Sequence, residues 1–267
     1  MSWWGKVVGG ALGFMVGGPL GAMLGAALGH NFDKGLAGLD RLEGGVGENE
    51  RVQTAFFTAT FSVMGHLAKA DGQVTQDEIA VARHVMEQMQ LDETQKKAAI
   101  NLFNQGKQAD FPLDDVLKQF RQECSRRSTL IQLFIEFQIA TIVADGVLQP
   151  QETDKLVYIG ERLGLARRNI EHLINMVRAQ QHYAGGEYYQ ANQSPQARLQ
   201  DAYAVLDVPQ SVSDANLKTQ YRKLMSQNHP DKLVAKGLPE EMIKIATEKT
   251  QEIKAAYEEI KRARGLN

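Results

Sequence analysis

The sequence predicts an all-α chain: a single N-terminal transmembrane helix, a central helical bundle and a C-terminal helical hairpin. Three observations lead there. Runs of alternating β-branched residues are scarce, a 22-residue stretch near the N-terminus carries no charge, and apolar residues elsewhere recur at three and four. The 267 residues divide by composition into an anchor at 1–30, a Gly-rich connector at 31–49, a helical region at 50–181, a linker at 182–198 and a last region at 199–267. Thirty basic against thirty-two acidic residues leave a formal charge of −2, so no nucleic-acid partner is expected. Cys124 is the only cysteine, which excludes an intramolecular disulfide and a cysteine-built zinc site.

The uncharged stretch is Val7 to Leu28. As a helix it is roughly 33 Å long, enough for a hydrocarbon core of about 30 Å. A cleaved signal peptide and a soluble glycine-rich arm are the rival readings, the second because seven of the 22 residues are glycine and one is Pro19. The spacing favours the span. Gly9, Gly13, Gly17, Gly21, Gly25 and Gly29 recur every four residues, a face on which a second helix backbone approaches closely, and a homodimer is expected there. Flanking charges are nearly balanced: Lys6 precedes the span, and Lys34 and Arg41 follow it.

The central region contains a weak repeat. Ala70-Asp71-Gly72 with Glu78 matches Ala144-Asp145-Gly146 with Glu152, and a leucine follows each glutamate by thirteen residues, Leu91 and Leu165. Asp-Gly turns between helices explain it, with Thr75 and Glu78 as a capping box and Pro150 at a first helical position. A paired cation site is the sharper reading, but the loops lack the oxygen-ligand density of an EF-hand, and no metal or other cofactor is expected. The aromatic positions Phe56, Phe57, Phe61, Phe134 and Phe137 belong to a bundle core. His66, His84 and His172 have no second ligand at helical spacing. The duplicated Asp-Gly arrangement resembles the TerB-type domains, which implies an all-α bundle and no shared chemistry to transfer.

In the last region, Ser213 caps a helix with apolar positions Leu217, Tyr221 and Leu224. Pro239 is predicted to open a second helix carrying Met242, Ile245, Ile253, Tyr257 and Ile260, joined to the first by a loop from Asn228 to Leu238. His229-Pro230-Asp231 lies in that loop. Tyr203, Leu206 and Val208, then Tyr221-Arg222-Lys223-Leu224, His229-Pro230-Asp231-Lys232 and Ala256-Tyr257 resemble the J domain of DnaJ-type co-chaperones. Asp207 departs from the glycine common there. The order of span, TerB-like middle, linker and terminal J domain resembles a membrane-anchored kind of such co-chaperone; a single cysteine excludes the kind with a zinc region.

The resemblance implies that His229, Pro230 and Asp231, with the cationic residues Lys218, Arg222 and Lys223, dock on a DnaK-type chaperone and stimulate its ATPase. The chain is then a co-chaperone and not itself an enzyme. Because the partner needs ATP, the bulk of the chain is placed in the cytoplasm at a bacterial inner membrane, with a short N-terminus outside. The alternative is a membrane scaffold or stress sensor acting through the TerB-like domain, discriminated by deleting residues 50–181. A metal-dependent enzyme is disfavoured, since no nucleophile–base pair or ligand cluster supports it.

Overall fold

In a computed structural model, the structure describes residues 18–28, 48–69, 75–125, 127–143, 149–184, 194–235 and 243–266. Among these every regular element is a helix. The chain divides into two compact units, 1–170 and 171–267.

The first unit is organised around α2 (Glu48–Ala68). Around it lie α1 (Gly18–Leu28), α3 (Gln76–Gln88), α4 (Glu93–Gly106), α5 (Leu113–Glu123), α6 (Ser128–Ile142) and α7 (Pro150–Arg162), all of which touch it. The aromatic spacing predicts one buried face on α2, but nearly its whole circumference is buried: Phe56, Phe57, Phe61 and Met64, and also Thr54, Thr58, Thr60 and Ser62. Of these, Ser62 bonds to the backbone, its Oγ donating to the Thr58 carbonyl at 2.7 Å. Rings of other helices meet those of α2, Phe56 lying 6.3 Å from both Phe120 and Phe137.

The weak repeat corresponds to a repeated three-helix pattern, in which α2 and α6 end 74 residues apart at Ala68 and Ile142. Helix α3 opens at Gln76 and α7 at Pro150, while α4 opens at Glu93 and α8 (Arg167–Ala184) at Arg167; both steps are 74 residues. Thr75 and Glu78 form the expected capping box, Thr75 N–H donating to Glu78 Oε2 at 2.8 Å and Glu78 N–H to Thr75 Oγ1 at 3.2 Å. In the second copy Gln149 N–H donates to Glu152 Oε2 at 3.0 Å, and Pro150 stands at the first turn. The repeated leucines are the residues that close each second helix. Leu91 N–H reaches the Met86 carbonyl at 3.1 Å and Leu165 N–H the Gly160 carbonyl at 2.9 Å. Each is preceded by a left-handed residue, Gln90 (φ 51°) and Gly164 (φ 90°). Both Asp-Gly turns, Asp71-Gly72 and Asp145-Gly146, lie outside the described residues.

Of the predicted span, residues 7–17 lie outside the described residues, and with them Gly9, Gly13, Gly17 and, beyond it, Gly29. Gly21 and Gly25 fall in α1. No helix among the described residues is long and apolar enough to cross a membrane. The boundary between the compact units falls inside α8.

The second unit contains α9 (Pro195–Val205), α10 (Asp214–Asn228), α11 (Pro230–Ala235) and α12 (Ile243–Arg264). Ser194 caps α9 and Ser213 caps α10, each accepting from a backbone N–H three residues on. Ala202, Tyr203, Val205, Leu206, Leu217, Ile253, Ala256 and Ile260 form the core, with Tyr221 and Tyr257 stacked at its edge, 4.1 Å apart at 9°.

Candidate partner-binding surface

His229 ends α10. The residue before a proline is pushed out of the helical region, and His229 is extended at φ −61°, ψ 128°. Pro230, with no N–H to satisfy, then starts α11. The His229 carbonyl accepts from Lys232 and Leu233 N–H, each at 3.0 Å. The predicted loop from Asn228 to Leu238 is therefore in part a helix. Its six residues are held by the buried Leu233, and Asp231 in the first turn suits the helix dipole. Pro239 and Met242 lie outside the described residues, and α12 is described from Ile243.

One residue thus separates two helices, and it and Asp231 face solvent. The His229 side chain is 51% exposed and that of Asp231 90%. Asp231 N–H donates to His229 Nδ1 at 3.3 Å, and Asp231 Oδ2 lies 3.9 Å from the same nitrogen. Lys232 Nζ donates to Ser226 Oγ, tying the start of α11 to the last turn of α10. Pro230 is half-buried beneath the exposed pair.

Lys218, Arg222 and Lys223 are exposed on α10, while Leu217 points to the core and Leu224 is half-buried. Residues four apart share a face, so Lys218 and Arg222 form a cationic edge leading toward His229. The six predicted residues of this unit therefore lie along one helix and the turn that ends it.

Two supporting residues were not singled out as site residues. Asp207 closes α9 in the left-handed region, φ 55°, with Val208 N–H donating to the Tyr203 carbonyl at 3.1 Å. That conformation explains the preference for glycine there. Arg264 donates from Nε to Tyr203 Oη at 2.7 Å, from Nη1 to the Val212 carbonyl at 2.8 Å and Asp214 Oδ1 at 2.7 Å, and from Nη2 to the Gln210 carbonyl at 2.9 Å. The hydrogen bond to Tyr203, then that to Asp214, hold its guanidinium pKa above the ordinary value. Arg264 pins the start of α10, the helix carrying the cations. Asp207 was visible as a departure from the family pattern; Arg264 had no signal, because two of its four partners are backbone carbonyls.

In the first unit no group of three His, Cys, Asp or Glu among the described residues could hold a metal ion. Cys124 is buried, and burial pushes its thiol up to about 12.

Three family models match the chain in order: the co-chaperone DjlA transmembrane domain over residues 1–41, tellurite resistance protein TerB over 57–175 and the DnaJ domain over 201–264. The chain is 44% identical to co-chaperone protein DjlA of Coxiella burnetii, with all of both chains covered. It is 43% identical to that of Photobacterium profundum over 98% of this chain and 99% of the relative. Identity to the Escherichia coli K12 protein is 42%, again over the whole of both. No solved structure matches. With a J domain whose His-Pro-Asp turn is exposed, and with relatives alike from end to end, the chain belongs to the DjlA family of J-domain co-chaperones.

Proposed function

We propose that the chain docks the exposed face of α10 and the His229-Pro230-Asp231 turn on an ATP-bound DnaK-type chaperone and stimulates its ATPase. The turn is the observation that supports this. A proline-fixed hinge presents a histidine and a carboxylate to solvent while the buried Leu233 holds the helix behind them. Lys218, Arg222 and Lys223 attract and orient an acidic partner surface. Hydrolysis belongs to the partner; this chain shifts the partner's conformation.

The N-terminal segment holds the protein at the bacterial inner membrane as a single pass, with a short outer N-terminus and the bulk of the chain in the cytoplasm, where the partner finds ATP. Two copies associate through Gly9, Gly13, Gly17, Gly21, Gly25 and Gly29; the four-residue spacing supports that reading.

A steady-state ATPase assay of a DnaK-type chaperone with the purified chain tests the proposal. His229→Gln should leave the helical circular dichroism unchanged and abolish stimulation, since the side chain is outside the core. Normal stimulation by the substituted chain would remove the turn from the mechanism.

A further inference from the structure

Residues 18–28 carry no charge and form the second half of the predicted span, yet as α1 they lie against α4 and α5. Leu20 and Leu24, one turn apart, are buried at 0% and 1% exposure, and Met23 beside them at 9%. Ala22 points the other way, into solvent. The groove grips backbone as well as side chains. Gln119 of α5 takes the Leu20 N–H on its Oε1 at 3.0 Å, and Gln105 of α4 donates from Nε2 to the Met23 carbonyl at 3.1 Å.

Gly18 shows why an acceptor is needed there. Its φ is +67°, and a right-handed helix cannot run through that conformation. The docked helix must begin at this point, leaving Leu20 N–H among the orphan donors of a first turn. In an unbroken spanning helix the Val16 carbonyl would accept that N–H; in the docked helix Gln119 does. The two arrangements therefore differ by rotation at Gly18. The bilayer's hold on this half is weakened by Gly18, Pro19, Gly21 and Gly25, which supply little apolar surface.

We propose that Gly18–Leu28 is a two-place helix, docked in the α4–α5 groove while the chain is away from a membrane and released into the bilayer on insertion, with Gly18 as the hinge. The bundle thereby shields the apolar half of its own anchor. The proposal does not involve the J domain.

The full chain, synthesised without membranes and then given phosphatidylethanolamine–phosphatidylglycerol vesicles, tests it with a membrane-impermeant maleimide. Cys124 is silent, being buried. Before vesicles are added, Ala22→Cys should react at least about tenfold faster than Leu24→Cys, because only the latter is under the helix. Leu20→Cys supplies a second buried probe should one substitution loosen docking. After insertion all three should be unreactive. Equal rates at the outset would mean an undocked segment, and no reaction at Ala22→Cys would mean aggregation; either overturns the proposal. Persistent labelling of Ala22→Cys after vesicle addition would overturn release. Gly18→Val should erase the initial difference in rates without preventing insertion, since a β-branched residue rarely adopts positive φ and even its Cβ would meet Gln119 Oε1 at 2.9 Å. Full protection in that variant would remove the hinge.

Discussion

Gly65 of α2 and Gly106 of α4 mark the place where two helix backbones touch. A Cβ on Gly65 would sit 1.9 Å from the Phe103 carbonyl oxygen, and one on Gly106 would sit 1.8 Å from the Ser62 carbonyl oxygen. Neither oxygen can move without its helix. Alanine gains about 1 kcal/mol in helix propensity, but forcing the backbones apart costs more. We expect Gly65→Ala or Gly106→Ala to lower the stability of the first unit by about 2 kcal/mol in urea unfolding. A stabilised variant would show that the helices do not meet there.

Asp207 offers the opposite case. At φ 55° a glycine would relieve strain. Asp207→Gly should raise the stability of the second unit by about 0.5–1 kcal/mol, and Asp207→Val should lower it by at least that much. Thermal unfolding that ranks valine above glycine would contradict the left-handed conformation.

Partner binding should respond to charge. Lys218→Glu with Arg222→Glu should weaken docking on a DnaK-type chaperone, and wild-type affinity should fall with added salt, because exposed charges are screened within about 8–10 Å at physiological ionic strength. Affinity indifferent to both would take the cationic edge out of recognition.

Asp114 accepts from Tyr158 Oη at 2.5 Å and from Arg162 Nε at 2.8 Å. The tyrosine hydrogen bond, then the arginine, hold its carboxyl below the ordinary 3.8. A lowered folded value means that the stabilisation is fully present above 3.8 and is lost as pH falls through the folded value. Tyr158→Phe should move the Asp114 midpoint upward in an NMR titration. An unchanged midpoint would show that the hydroxyl does not support the ionised form.

Topology is open to a direct test at Cys124. Buried, with its thiol pushed up to about 12, it should resist a membrane-impermeant reagent in intact cells and react after the membrane is opened and the bundle mildly denatured. External protease should spare everything after about residue 30, the span lying before it. Denaturation that exposes Cys124 to the outside reagent with the membrane still closed would reverse the orientation.

What was legible in the sequence was local. Thr75 with Glu78, Pro150, Ser213 and the His-Pro-Asp turn announce themselves because capping and proline act within three or four residues of chain. The burial of α2 did not, since its threonines and Ser62 read as a polar face and only the surrounding helices make them interior. Helix α11 reads as a loop because six residues carry too little periodicity to register; the buried Leu233 helps to hold it. On the candidate surface the exposed residues are legible from pattern; Arg264, which supports it across 50 to 61 residues of chain, is not.

Because α4, α5 and α6 make their chief contacts with α2, none of those three can lose it and keep its own buried face. The consequence is cooperativity. Amide hydrogens in the middle of α2 should exchange only when the whole unit opens, at the slowest rate in that unit. Helix α1, resting chiefly on α4 and α5, can lift away and leave the hub assembled. The first unit is thus built to release one edge without melting.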